Sequence, residues 1–251
     1  MRIGIAGMTG RMGRLLIEEA RSAGHRVVGG TVHRAVAPEG LPALSLPDLA
    51  ASADAVIDFT HATAAALHAE VMARAGTPWV LGTTGLSAAD ESAVDQAAET
   101  IPVVYAANFG PGITLLLALA EQLGAALPAG EYDAEILEMH HRQKVDAPSG
   151  TAVALGRAVA KGRRVHLESV MQSGRDGHTG PRPVGAIGFA ALRGGQIVGE
   201  HTLLFAAVGE QIALSHRALD RRAFAAGAIR AAAWIVDRAP GRYEMKHVMG
   251  L

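Results

Sequence analysis

The chain opens on a short apolar run, Arg2–Ala6. A stretch follows in which Met12, Leu15, Leu16 and Ala20 recur at helical spacing, predicting a helix over Arg11–Ala23. Strand followed by amphipathic helix sets the rhythm of the first hundred residues. Further strands are predicted at Arg26–Val32, Ala55–Asp58, Pro78–Leu81 and Val103–Ala106, with helices over His61–Ala75 and around Ala88–Ala98. These strands are apolar throughout rather than alternating, the pattern of a parallel sheet covered by helices on both faces. Turn residues punctuate the segments, as in Ala23-Gly24-His25 and Ala75-Gly76-Thr77-Pro78.

After residue 108 the pattern changes. Gly112–Ala126 reads as a long apolar helix and Tyr132–Met139 as a strand. A polar loop, His140–Pro148, precedes a helix that opens at Ser149. Residues 173–185, rich in Gly, Arg and Pro, read as a mobile loop. Strands through Ala186–Leu192, Gln196–Ala207 and Glu210–Arg217 cluster as the mixed sheet of a second domain. Asp220–Val236 is an Ala-rich helix, with Asp220 as its expected N-cap, that returns to close the first domain. The fold class is therefore α/β: a parallel sheet covered by helices on both faces, with a second, mixed-sheet domain.

Composition narrows the chemistry. Of 251 residues, 49% are hydrophobic and 19% charged, enough apolar material for a core and the opposite of a disordered chain. A net charge of −1 and scarce aromatics argue against a nucleic-acid partner. With Cys 0, thiolate metal sites, disulfides and Cys nucleophiles are excluded. Of the 23 Lys and Arg residues only Lys144, Lys161 and Lys246 are lysines. Lys can release a proton near neutrality where Arg cannot, so a Lys kept against such a bias is a candidate for proton chemistry. No apolar run is long enough for a membrane span. The first residues enter a strand at once with no signal peptide ahead of it, so the cytoplasm is the expected compartment.

Gly7-Met8-Thr9-Gly10-Arg11-Met12-Gly13 lies between the first predicted strand and helix. Glycine lets the backbone approach a pyrophosphate there, and the helix N-terminus supplies N–H donors; a tight turn without ligand is the alternative. The second strand ends in Thr31-Val32-His33-Arg34, with no acid to bind a ribose 2′-hydroxyl. That favours NADPH, with NADH possible; a solvated loop cation is the alternative. Leu81-Gly82-Thr83-Thr84-Gly85 and Ala106-Ala107-Asn108-Phe109 also follow strands, on the edge where such sheets bind ligands. Gly82, Thr83 and Thr84 can meet a nicotinamide ribose, and Ala107 and Asn108 its carboxamide; ordinary turn chemistry is the alternative.

The densest polar segment is Glu138–Ala152, with His140, His141, Lys144 and a Pro148-Ser149-Gly150-Thr151 helix opening. A dihistidine metal site would need further ligands, and Arg142 and Lys144 disfavour a cation, so no metal is expected. A carboxylate would sit well at the N–H groups of Gly150 and Thr151, and His and Lys can deliver protons. A solvated charged loop is the alternative.

These residues resemble the dihydrodipicolinate (4-hydroxy-tetrahydrodipicolinate) reductase family. Glu138–Ala152 looks like its E-x-H-H-x-x-K-x-D-x-P-S-G-T-A signature, and Gly7–Gly13 like its G-x-x-G-x-M-G turn. Val56–Thr60, Gly82–Gly85, Ala106–Phe109, Gly177–Gly180, Ile187–Phe189 and Val198–Thr202 also match in order. The resemblance implies a Rossmann-like dinucleotide-binding domain of residues 1–108 plus 220–251, beside an α+β domain. It implies a substrate-binding and oligomerisation domain of residues 109–219, and a homotetramer. It implies reduction of 4-hydroxy-tetrahydrodipicolinate by NAD(P)H with loss of water, in lysine and diaminopimelate synthesis. His140 would be the acid/base residue and Lys144 the proton donor, with His141, Gly150 and Thr151 on the substrate carboxylates. Two departures stand out. His33 replaces a common acid, which sharpens the NADPH expectation. Asn108-Phe109-Gly110-Pro111-Gly112 lacks the Ser common after Phe. Rival readings are a nicotinamide-dependent reductase of another small semialdehyde or cyclic imine diacid, and a non-catalytic nucleotide sensor.

Overall fold

A computed structural model of the chain describes residues 1–33 and 35–251; Arg34 lies outside the described residues. The chain divides into two compact units, Met1–Pro111 with Arg221–Leu251, and Gly112–Asp220.

The first unit holds strands β1 (Arg2–Ala6), β2 (Arg26–Gly30), β3 (Ala55–Asp58), β4 (Trp79–Leu81) and β5 (Pro102–Tyr105), with β11 (Gly241–Tyr243) from the C-terminal segment. All pair in parallel, in the order β11-β5-β4-β3-β1-β2. Strand alternation divides the buried residues into two layers. Ile3, Ile5, Ile57, Val80 and Val104 pack under helices α1 (Arg11–Ser22) and α8 (Arg222–Ile235). Ala6, Val56, Trp79, Leu81 and Val103 pack under α2 (Leu46–Ser52), α3 (Ala65–Ala75) and α4 (Ala88–Ala98). The order reverses between β1 and β3, so their C-terminal ends open a crevice at the switch point.

Several expectations change here. β2 stops at Gly30 because the chain turns back, Thr31 accepting the Gly7 N–H on its hydroxyl. α8 begins at Arg222, not Asp220. Its N-cap is Arg221, without a side-chain cap, and its first turn is fastened by Arg222 to Glu18 and Glu19 of α1. Helix α2, strand β11 and the closing helix α9 (Met245–Met249) were not legible, being too short to show a period.

The second unit is a mixed sheet in the order β10-β9-β6-β8-β7. Its strands are β6 (Asp133–His140), β7 (Met171–Ser173), β8 (Ile187–Arg193), β9 (Gly199–Ala206) and β10 (Gln211–Ala218). β6 pairs parallel to β8 and antiparallel to β9. One face is covered by α5 (Pro111–Ala126) and α6 (Gly150–Gly162), whose Ile113, Leu116, Ala152, Leu155 and Val159 meet Ala134, Ile136, Leu203 and Phe205. A four-residue helix, α7 (Leu167–Val170), leads into β7. The segment predicted as a mobile loop is pinned to β6. Arg175 grips the Glu135 carboxylate with two N–H bonds of 2.8 and 2.9 Å, and Arg182 bonds Glu135 and Asp133, each at 2.7 Å.

Candidate active site

Side chains of β6 alternate between faces. Ala134 and Ile136 enter the apolar layer under α6; Glu138 and His140, next on the same face, put a carboxyl and an imidazole where that layer ends. His140 is the last residue of the strand rather than the first of the loop. Register brings two more groups to that end: His201 on β9 lies opposite Glu138, and Arg193 on β8 opposite His140.

Glu138 is 1% exposed and ringed by donors. Arg193 donates one N–H to each carboxylate oxygen, at 2.6 and 2.8 Å. His140 Nδ1 stands 2.6 Å from Oε2, and the Ser149 N–H donates to Oε1 at 3.0 Å. Burial raises the Glu138 carboxyl, but Arg193, His140 and Ser149 together hold it below the ordinary carboxylate range. An ionised carboxylate only accepts, so the proton of the His140–Glu138 bond sits on Nδ1. Burial lowers the pKa of His140 against the upward pull of Glu138, with the charges of Lys144 and Arg193 adding to the fall. The ring is therefore neutral at neutral pH, with its lone pair on Nε2. Gly199 leaves room beside that atom: a Cβ there would lie 3.0 Å from it.

His201 packs edge-on to His140, ring centroids 5.1 Å apart. Burial first, then the neighbouring His140, push its pKa down to about 4. Its Nε2 is 3.1 Å from Ser149 Oγ, which already accepts the Ala152 N–H as the N-cap of α6. That contact ties the His201 ring to the N-cap residue of α6.

Gly150 is exposed, and a Cβ on it would meet nothing within 4 Å. No acid occupies the first turn of α6. Asp146, from the preceding loop, pairs with Lys144 Nζ at 2.8 Å, close enough to the Gly150 N–H to feel its pull. Burial raises Asp146, but Lys144 and the backbone N–H groups hold it down. A carboxylate supplied by the chain itself thus sits between Lys144 and the helix N-terminus, as anion chemistry at such an end requires. Thr151 follows half-buried, and His141 Nδ1 is buried without a partner among the described residues.

Sequence reasoning quoted Glu138, Ser149 and, within Val198–Thr202, His201 without giving any of them a role at the reacting centre, and passed over Arg193. Strand alternation could have placed Glu138 beside His140. Nothing in the sequence gives the register that delivers Arg193 and His201.

In the first unit, Gly7 has φ +74°, and a Cβ on Gly13 would stand 2.3 Å from the Gly7 carbonyl oxygen. α1 therefore starts hard against the turn. Its N-terminus has no side-chain cap and no acid in its first turn, which leaves its N–H groups to an anion. Thr9 and Met12 are half-buried and Gly10 and Arg11 exposed around this turn, while Met8 is fully buried in the core. At the ends of β4 and β5, Thr84 and Ala107 are exposed, and Gly82, Ala106 and Asn108 half-buried. Thr83 and Phe109 turn inward: the Thr83 hydroxyl donates to the Thr60 carbonyl at 3.1 Å, and Phe109 packs on Phe59. His33 is exposed, and its predicted neighbour Arg34 lies outside the described residues. A cavity of about 340 Å³ beside the turn is bordered by Thr9, Arg14 and Arg21. Among the described residues no His, Asp and Glu side chains gather as a metal site, and no helix is long and apolar enough to cross a membrane.

A parallel sheet with a glycine-rich first turn and a mixed sheet with a buried acid/base cluster define a two-unit, Rossmann-type α/β oxidoreductase. Residues 1–109 match the family description "Dihydrodipicolinate reductase, N-terminus", and residues 112–249 "Dihydrodipicolinate reductase, C-terminus". The chain belongs to the dihydrodipicolinate reductase family. It is 61% identical to the 4-hydroxy-tetrahydrodipicolinate reductase of Granulibacter bethesdensis, covering 100% of this chain and 97% of that protein. It is 60% identical to the enzyme of the same name from Gluconacetobacter diazotrophicus, over 100% and 98%. In fold it is similar to a dipicolinate-bound dihydrodipicolinate reductase from Paenisporosarcina sp. TG-14, with TM-score 0.80, 23% identity and 97% of each chain covered.

Proposed function

We propose that the chain reduces 4-hydroxy-tetrahydrodipicolinate to tetrahydrodipicolinate with loss of water, using NADPH in preference to NADH. The observation that carries this is the end of β6, where Glu138 holds His140 beside Lys144 and the open N-terminus of α6. Full-length identity to reductases of that name supports it.

The first unit would hold the dinucleotide. Gly7, Met8, Thr9, Gly10, Arg11 and Met12 would take the pyrophosphate at the uncapped start of α1. Gly82, Thr83, Thr84, Ala106, Ala107, Asn108 and Phe109 would line the nicotinamide end. His33 and Arg34 would favour a 2′-phosphate, since the sequence has no acid at the tip of β2 to repel it; Arg14 and Arg21, with Glu18 between them, border the cavity beside the turn. A nicotinamide held there would supply hydride chemistry, directed at the ring carbon that has lost its hydroxyl.

The second unit would manage the anion and the protons. Thr151, Gly150 and His141 would hold the substrate carboxylates, one of them taking the place of the Asp146 carboxylate beside Lys144. The departing hydroxyl takes a proton to leave as water, and the neighbouring ring carbon gives one up as the double bond forms. The electron pair that arrives with hydride develops toward the ring nitrogen and needs another. Lys144, an ammonium released from Asp146, would donate, and His140 would exchange a proton at Nε2. The exposed leucines Leu137 and Leu192 on the uncovered face of the mixed sheet, 39% and 52% exposed, would join copies into a homotetramer in the cytoplasm.

The test is nucleotide oxidation with the condensation product of pyruvate and aspartate semialdehyde as substrate. Lys144→Ala should lower kcat by at least about 100-fold. Undiminished turnover in that variant would sink the assignment. Binding of nucleotide without turnover by the parent chain would favour the sensor reading, and turnover only with another semialdehyde the rival reductase.

A further inference from the structure

The groups given roles in the second unit do not stand independently; they meet at one buried carboxylate. Glu138 Oε2 receives His140 Nδ1 and one Arg193 N–H, and Oε1 receives the Ser149 N–H and the other Arg193 N–H. Arg193 also donates to the Asp146 carbonyl at 2.6 Å, fastening the loop that carries Lys144. One carboxylate therefore holds the imidazole at the strand end, the N-cap residue of α6 and, through Arg193, the proton-donor loop.

We propose that Glu138 is a positioning residue of the reaction, with Arg193 as its counter-ion: it sets the tautomer and orientation of His140 and holds the N-terminus of α6 in place beside it. This rests on the reading of His140 as the acid/base residue.

The donor set makes the proposal specific. Four N–H groups converge on Glu138, and a carboxylate accepts all of them. Glutamine has the same shape but offers one oxygen and one NH₂. The NH₂ can be satisfied only if His140 gives up its Nδ1 proton and accepts instead, which moves the proton to Nε2. Tautomer and residue 138 are thereby coupled. The groups facing His140 are Glu138 on its own strand, Arg193 from β8, His201 from β9, and Lys144 with its partner Asp146 from the loop; His216 of β10 lies beyond His201.

Two substitutions should act in opposite directions. Glu138→Gln removes the anion from His140 and makes the ring harder to protonate. Arg193→Met removes the cation that competes for the same carboxylate and makes the ring easier to protonate. General disruption of the site would not split the two by sign.

The experiment follows ring-nitrogen signals of ¹⁵N-histidine-labelled protein through a pH titration, with His140→Ala to assign the resonance. In the parent, Nδ1 of His140 should carry the proton in the neutral ring. Glu138→Gln should move it to Nε2 and lower the titration midpoint, and Arg193→Met should raise the midpoint. Turnover of Glu138→Gln should fall on the order of 10²-fold with KM for the nucleotide unchanged. Parent-like ring signals in Glu138→Gln, or midpoints displaced in the same direction in both variants, overturn the proposal. If Glu138→Gln does not fold, the Arg193→Met midpoint alone decides. Full turnover by His140→Ala, with ring signals that still obey Glu138 and Arg193, would instead remove the acid/base reading and leave the hold on the ring standing.

Discussion

Burial alters His201 more than its sequence context suggests. Its pKa of about 4 against an ordinary 6.5 means the unfolded chain takes up a proton that the folded chain refuses. The sign follows: its contribution to stability is complete above pH 6.5 and is lost as pH falls toward 4. The difference corresponds to about 3 kcal/mol. Replacing His201 by Gln keeps a polar partner for Ser149 and removes the titration. The urea midpoint of the parent should therefore fall more steeply between pH 7 and pH 4 than that of His201→Gln; parallel slopes would refute the assignment. None of this is visible in the sequence, where His201 is one histidine among eleven. Its neutrality comes from burial at the end of β9, with His140 of β6 adding to it and the Glu138 carboxylate opposing it.

Elements position the chemistry through their ends. α1 and α6 both lack an acid in their first turn, one starting after a glycine turn and one after a Ser cap with Asp146 of the preceding loop beside it. In α1 the approach depends on Gly13, where a Cβ would stand 2.3 Å from the Gly7 carbonyl and 2.6 Å from Met8 Cα. Both neighbours are backbone, so neither can swing away as a side chain would. Gly13→Ala should push the helix start off the turn and weaken NADPH binding by at least about tenfold, or roughly 1.4 kcal/mol, in a fluorescence titration. Unchanged affinity would show that the turn does not cradle the nucleotide. The glycine spacing was legible because a strand, a turn and a helix follow one another locally. The loss of Asp220 as a cap was not, because Arg222 is drawn to Glu18 and Glu19, some 200 residues away in sequence.

Across the whole molecule, the chain leaves its first unit at Pro111 and returns at Arg221, adding α8 to one face of the parallel sheet and β11 to its edge. The second unit covers one face of its sheet with helices and leaves Leu137 and Leu192 exposed on the other. The proposed association of copies would use this face. Leu137→Asp combined with Leu192→Asp should yield a smaller species in sedimentation while leaving each unit folded by circular dichroism. A parent-sized assembly would exclude this face as the interface.

The sequence by itself determined what is periodic or contiguous. Apolar strands alternating with helices implied a parallel sheet, Gly7–Gly13 a turn that suits a phosphate, and Glu138–Ala152 a compact set of proton and anion groups. Tertiary structure decided what depends on register and burial. It placed Arg193 and His201 at the end of β6, made Glu138 the common acceptor, turned Thr83 and Phe109 inward, and tied residues 174–185 to Glu135 and Asp133. The physical reason is that helix and strand periods are written locally in the chain. The partner of a buried charge is chosen by strand pairing across tens of residues, and no local pattern encodes it.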